Sequence, residues 1–375
     1  RIPLLISSEW ILVMLDAGQV DGQIQGMDQY PGFVGALDQA YELLNPNQLL
    51  IPLADGQSFE SIIQGINTIR AASRDIPAVN PVFTTPDALM VVTNEFIATF
   101  PDKMTRKKIN SLNAERSVQV VERISDQGNT FVLRVTPETH VDALSMANYY
   151  KESGIAITAA PNFVRVMNKP VLTETKEEVN SLSAANDYWY GEQWHLHNTS
   201  QFGSWMKIDV DIDAPEAWNI TKGSSAIIIA ILDEGVDRLH PDLNAKIIKG
   251  YDATGKGGGG RPSGNDAHGT AAAGIAAAVS NNNTGVAGVC WNCRIMPVRI
   301  AYGCGGGWCT SDSIIAKGIN YAYQNGAWVL SNSWGGGSPS TVISTAINNA
   351  KTLGRGGRGA VVVFSAGNNN TTPIS

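Results

Sequence analysis

The sequence predicts an open parallel α/β sheet with helices on both faces, preceded by a smaller α+β domain. Two observations carry that prediction. Beyond about Tyr188, four apolar runs (Ala226 to Leu232, Ile295 to Ile300, Ala327 to Ser331, Ala360 to Phe364) alternate with helical segments. These runs are continuous, not alternating, which marks strands buried on both faces. Residues 94–167 read instead as β-α-β-β-α-β, the ferredoxin-like arrangement.

Element by element, Trp10 to Leu15, Leu49 to Leu53 and Val79 to Phe83 read as strands, with an amphipathic helix carrying Ile62, Ile63, Ile66 and Ile69 before the last of them. They make residues 1–93 a small α+β region to which no chemistry attaches. In residues 94–167, Phe96 to Phe100, Val118 to Ile124 and Phe131 to Val135 are strands. Met104 to Arg116 is a polar helix, and a second helix carries Val141, Leu144 and Ala147. Ile155 and Ile157 open the final strand. Residues 168–190 are polar and aperiodic, the pattern of a linker open to proteolysis. In residues 191–375 the helices Ser313 to Gln324 and Thr341 to Leu353 close at Asn325-Gly326 and Gly354.

A chain of 375 residues exceeds the usual single-domain size, consistent with this division. Its net charge of -7 argues against nucleic acid as a main partner. No apolar stretch reaches the roughly 20 residues that span a bilayer, so no membrane partner is expected. Arg1 is not an initiator, and the chain is expected to lack its true N-terminus and any export signal. All four cysteines (Cys290, Cys293, Cys304, Cys309) fall in one short stretch. Disulfides are the first reading, with pairing open among three connectivities; zinc, suggested by the ligand-like spacing of the pairs, is the alternative.

Three residues sit where open α/β sheets place their chemistry, outside the carboxyl ends of strands. Asp233 directly follows Ile229-Ala230-Ile231-Leu232, with Gly235 permitting a sharp turn. His268 opens a helix of small residues, and a helix start favours the neutral imidazole that can serve as a general base. Asn368 follows an apolar run through Ser365-Ala366-Gly367, where a side-chain amide can donate to a developing oxyanion. Taken singly, each has a plainer reading as a cap or turn residue.

Together the motifs are more specific. Asp233-Glu234-Gly235-Val236-Asp237, His240-Pro241-Asp242-Leu243, His268-Gly269-Thr270, Ser331-Asn332-Ser333-Trp334-Gly335-Gly336 and Ser365-Ala366-Gly367-Asn368 resemble the subtilisin-like serine proteases, the subtilases, over roughly residues 188–375. Residues 94–167 resemble the inhibitory propeptide of that family. The resemblance implies a secreted serine-type endopeptidase of subtilisin-like fold, made as a propeptide-inhibited precursor and acting on protein or peptide substrates. Asp233 and His268 would be catalytic, Asn368 an oxyanion donor. Ser333, Trp334 and Gly335 would pair with the substrate backbone, and Ser365, Ala366 and Gly367 would wall the specificity pocket. It also implies a structural calcium at Asp242 and Asn282, and maturation between Met167 and Gln193.

Some positions depart from the family pattern. Glu234 and Ala271 stand where the family more often has other residues, which implies tuning. Gly337-Ser338-Pro339-Ser340 brings no carboxylate after the Ser-Trp-Gly element, so no dibasic specificity is expected. Most important, the nucleophilic serine of the family lies in a Gly-Thr-Ser element, and none occurs in the 375 residues. Ser224, Ser225 and Ser375 are poor substitutes. The chain is therefore expected to be a precursor cut off before its serine and inactive as it stands. The alternative is a non-catalytic subtilase-like protein that binds peptides.

Overall fold

The computed structural model describes residues 4–15, 26–30, 32–72, 78–85, 87–124, 128–139, 141–168, 185–305 and 307–368. Most of the expected linker, 169–184, and Ser375 lie outside the described residues. The chain forms two units: residues 1–169 with 303–317 and 336–346, and residues 170–302 with 318–335 and 347–375.

The first unit opens with β1 (Leu5–Met14), β2 (Tyr41–Glu42), β3 (Gln48–Pro52), helix α1 (Phe59–Ala72), β4 (Ala78–Thr85) and β5 (Ala88–Val91). Strand β1 starts five residues before the expected Trp10. Its register slips between Ile6 and Ile11, where Ser7 Oγ accepts from the N–H groups of Glu9 and Trp10 at 3.2 Å each. That irregularity hides the first half of the strand from any alternation pattern. Ile62, Ile66 and Ile69 of α1 pack on Ile11, Val13, Leu49, Ile51 and Val79, and this apolar stripe fixes the helix against the sheet.

A second module follows: β6 (Glu95–Phe100), α2 (Arg106–Ala114), β7 (Val118–Arg123), β8 (Asn129–Val135), α3 (Ala143–Glu152) and β9 (Thr158–Pro161). Thr105 and Asp142 cap its helices by accepting from Lys108 N and Ser145 N. The cap at Asp142 sets the phase of α3, so its buried face is Ala143, Met146, Ala147 and Tyr150. Val141 lies before the helix and is exposed, which corrects the expected stripe of Val141, Leu144 and Ala147. Tyr150 donates to Asn113 Oδ1 at 2.7 Å, and burial pushes its hydroxyl pKa up to about 12.

Both modules have the same topology. The second forms an antiparallel sheet in the order β7-β8-β6-β9, and the first has β2-β3-β1-β4. Each places its first strand between its third and fourth. Short 3-10 turns at Gly26–Gln29 and Leu37–Gln39 lie in the first module between β1 and β2, where the second has helix α2. After β9 the chain leaves the four-stranded sheet. Strand β10 (Val164–Asn168) pairs antiparallel with β5, a separate strand that the sequence pattern did not resolve from β9.

The second unit contains α4 (Ala214–Ile220), β11 (Ile228–Asp233), β12 (Tyr251–Asp252), α5 (His268–Ala277) and β13 (Arg294–Arg299). Next in the chain come β14 (Tyr302–Cys304), β15 (Gly307–Ser311), α6 (Asp312–Gln324), β16 (Val329–Asn332), α7 (Thr341–Gly357) and β17 (Val361–Phe364). Strands β12-β13-β11-β16-β17 form one sheet whose recorded pairings are all parallel. The central β11 is buried along almost its whole length, as a continuous apolar run requires. Strand β17 is the last strand of this sheet among the described residues, with Val361, Val363 and Phe364 exposed.

The cysteines form two disulfides, Cys290–Cys293 and Cys304–Cys309, with no free thiol among the described residues. Zinc ligation through these sulfurs is thereby excluded, because every thiolate it would need is spent in a bridge.

Candidate active site

The site is built on the carboxyl end of β11. Five apolar positions carry the strand through the core, and it ends on Asp233, which is fully buried. Only a short turn separates this carboxylate from the rest of the loop. Gly235 adopts φ +112°, and a Cβ there would lie 2.5 Å from Pro262 N, so neither the backbone conformation nor the space admits a side chain.

Helix α5 begins at His268, and its imidazole Nδ1 lies 3.0 Å from both Oδ1 and Oδ2 of Asp233. Such close approach depends on Gly269. A Cβ at that position would meet Gly235 O at 2.2 Å and Asp233 Oδ1 at 2.9 Å. Thr270 joins the same elements through its Oγ1, which accepts from Asp237 N at 2.9 Å.

Burial raises the Asp233 pKa, and the hydrogen bond from His268 works against that rise. A carboxylate out of water needs compensating donors. Here they are the Nδ1–H of His268 and the N–H of Glu234, 2.8 Å from Oδ1. With Nδ1 carrying the proton, Nε2 is the unprotonated ring nitrogen, the form that can accept a proton as a general base.

Glu234 is the residue whose role sequence reasoning missed. It is fully buried, and its Oε1 accepts from the backbone N–H of His268 at 2.7 Å. A carboxylate at the first N–H of α5 satisfies an orphan donor of the helix and sits favourably against its dipole. No local pattern reveals this, because the partners are 34 residues apart.

The other expected residues lie along the same sheet edge. Parallel registers align Leu232 with Asn332, and Asn332 with Phe364. Asp233, Ser333-Trp334-Gly335 and Ser365-Ala366-Gly367-Asn368 therefore leave neighbouring strands on the same side. Trp334 Nε1 donates to Leu232 O at 3.0 Å, and its ring meets Phe364 edge-on at 5.3 Å. Ser365 N donates to Asn332 O at 3.0 Å. Gly367 takes φ +85°, and Asn368 after it is exposed. Ser224 and Ser225, at the opposite end of β11, are exposed.

Asp242 and Asn282 are brought together away from this edge. Asp242 is almost fully buried; its Oδ1 accepts from Asn282 Nδ2 at 2.8 Å and its Oδ2 from Val286 N at 3.0 Å. The structure adds Asp187, which is also buried and accepts from the N–H groups of Asn281 and Asn282. Two carboxylates thus bracket one asparagine-rich loop. Its distance of 94 residues from Asn281 kept Asp187 out of any sequence motif.

Comparison with known proteins agrees with this geometry. A family model described as "Subtilase family" matches residues 224–375. A thermophilic serine proteinase of Bacillus sp. (strain AK1) is 39% identical over 213 residues, covering 56% of this chain and 47% of its own length. Thermitase of Thermoactinomyces vulgaris is 43% identical over 163 residues, covering 43% of this chain and 54% of its own length. The chain thus spans about half the length of these curated relatives. The crystal structure of fervidolysin from Fervidobacterium pennivorans, described as a keratinolytic enzyme related to subtilisin, superposes with a TM-score of 0.54 at 24% identity. That match covers 74% of this chain and 40% of the other, and it bears on the fold alone. Residues 224–375 thus match the subtilase family, and this part of the chain is similar to serine proteases of that family.

Proposed function

We propose that this chain carries the base and orienting acid of a secreted serine-type endopeptidase that hydrolyses peptide bonds in proteins. The single observation behind this reading is the Asp233–His268 pair at 3.0 Å, with Asp233 buried at a strand end and the backbone of His268 held at a helix start by Glu234. Asp233 fixes the imidazole tautomer and stabilises the imidazolium; Nε2 of His268 takes the proton from a hydroxyl nucleophile and returns it to the leaving amine. Asn368 donates to the oxyanion, and Ser333, Trp334 and Gly335 align the substrate backbone, with Ser365, Ala366 and Gly367 beside it. No Gly-Thr-Ser element of the kind that bears the family's nucleophile occurs in the 375 residues, and the chain spans about half the length of these relatives. Residues 94–167 act as the intramolecular inhibitor, released by cleavage between Met167 and Gln193. The two disulfides support an oxidising, extracellular compartment. No described helix is long and apolar enough to cross a membrane.

A serine-directed phosphonate tests this reading on the protein translated from the complete reading frame. Covalent labelling is expected, and His268→Ala should abolish it. Absence of labelling in a folded protein that still binds peptides would favour the non-catalytic alternative.

We assign the calcium that the family resemblance implies to the loop at 281–286; among the described residues no group of three or more His, Cys, Asp or Glu side chains gathers to hold a metal. Asp187, Asp242 and the Asn282 side chain offer hard oxygen donors, the type this cation selects. A Cβ at Gly285 would lie 2.2 Å from Asp242 Oδ2, so the loop is wrapped closely on that carboxylate. When bound, the ion would neutralise two buried charges and hold the loop. Thermal unfolding is expected several degrees higher in millimolar calcium than in chelator. In Asp242→Asn the difference should vanish, and an unchanged calcium response would remove the assignment.

A further inference from the structure

The side chain of Arg165 is almost fully buried among partners 147 to 173 residues away in the sequence. Arg165 is on β10, and β10 lies between β5 and β15 in an antiparallel sheet. Its register against β15 pairs Val164 with Ser311, Arg165 with Thr310 and Val166 with Cys309. From that position its Nε donates to Asp312 Oδ1 at 2.5 Å, its Nη1 to Gly336 O at 3.1 Å and its Nη2 to Ser338 O at 2.8 Å. Both charged side chains are withdrawn from solvent, at 4% and 6% exposure. All of these residues belong to the first unit.

Several features make the receiving side look preformed. Asp312 opens helix α6 directly after β15, so strand pairing and carboxylate are set by consecutive residues. The Cys304–Cys309 disulfide closes the β14–β15 turn and stiffens the edge that β10 joins. Gly337 adopts φ +80°, and a Cβ there would lie 2.3 Å from Arg165 Nη1; the wall is bare backbone where the guanidinium rests. Gly336 and Ser338 follow immediately on Ser333-Trp334-Gly335, the segment assigned above to substrate backbone.

The occupant and its pocket differ in origin. Asp312, Gly336 and Ser338 lie inside the subtilase-family match at 224–375, while Arg165 precedes it. Cleavage after β10 would make the strand a separable peptide. Its departure leaves an edge strand with unpaired N–H and C=O groups and a carboxylate with no cation. A substrate strand that adds to β15 with arginine or lysine at the matching position satisfies both at once.

We propose that Asp312 with the carbonyls of Gly336 and Ser338, which hold Arg165 here, forms a subsite selecting a single basic side chain in a substrate strand. This deepens the endopeptidase reading and rests on it. The sequence offered no carboxylate after Gly337; the acid comes from α6 instead, and it serves one basic residue, not a pair.

The test uses the mature enzyme from the complete reading frame and two readouts. In a peptide library varied on the amino side of the scissile bond, arginine or lysine should exceed leucine at one position by about tenfold or more in kcat/KM, the scale of one charge-assisted contact. That ratio should collapse in Asp312→Asn and survive in Asp312→Glu. Separately, a fluorescent peptide of the sequence 163–168 should bind at least tenfold more tightly with Arg at the place of Arg165 than with Leu, again depending on Asp312. Cleavage without basic preference, or a preference untouched by Asp312→Asn, overturns the subsite and leaves the peptidase reading intact. If no peptide is cleaved, the peptidase reading fails, and equal binding of the Arg and Leu peptides overturns the subsite on its own.

Discussion

Replacing Asp233 with asparagine in the complete protein is expected to lower kcat by about 10⁴-fold while leaving Tm unchanged or raised; that is the size of loss a wrongly held imidazole produces in a Ser-His-Asp triad. The two effects separate because they arise from different properties of one carboxylate. In the mechanism proposed above, catalysis needs its negative charge, which would hold the Nδ1 proton of His268, 3.0 Å away, and stabilise the imidazolium during attack. An asparagine amide can turn its NH2 toward Nδ1 instead, and Nε2 then carries the proton and cannot act as base.

Stability runs the other way. Burial raises the Asp233 pKa above its ordinary value, so the folded state holds its proton more tightly than the unfolded chain does. The contribution is fully present below the ordinary carboxylate range and is lost as pH rises through the folded pKa. At neutral pH the ionised group therefore costs stability, and an uncharged isostere relieves that cost. Thermal melts and initial rates measured on one preparation check both halves. A fall in Tm that tracks the loss of kcat would mean that Asp233 matters chiefly to the fold.

The legibility of this chain in sequence follows the distance between interacting residues. Four of the five strands of the parallel sheet announce themselves by continuous apolar runs, whereas the two-residue β12 (Tyr251–Asp252) carries none, and Asp233 and His268 stand at element ends where local pattern is strongest. Glu234 and Asp187 were not readable as partners, since their roles depend on loops 34 and 94 residues away. The repeated module topology was hidden for another reason. The described part of the β1–β2 connection holds two short 3-10 turns where the second module has α2, so those residues show no helical period to mark the correspondence. The face of α3 was misphased by a cap: Asp142 starts the helix two residues later than the apolar spacing from Val141 suggested. Disulfide pairing lay beyond sequence in principle, because spacing alone permits three connectivities.

Two glycine-to-alanine substitutions on α5 should have opposite signs, although both lie in one helix of 10 residues. At Gly269 the new methyl would meet Gly235 O at 2.2 Å and Asp233 Cβ at 2.9 Å. Neither neighbour is the end of a flexible side chain, so the start of α5 must move away from β11. Overpacking of this kind costs about 1–3 kcal/mol. Displacing the imidazole by as little as about 1 Å from its carboxylate can cost about 10²-fold in rate. Gly274→Ala places its methyl 3.6 Å from Val286 Cγ2, an ordinary contact, at a helical position where alanine is favoured over glycine by about 0.5–1 kcal/mol. The first variant should therefore lose both Tm and kcat, and the second should gain Tm with kcat preserved. Equal behaviour of the two would show that α5 tolerates displacement at its start, and the close approach at Gly269 would then not be what positions His268.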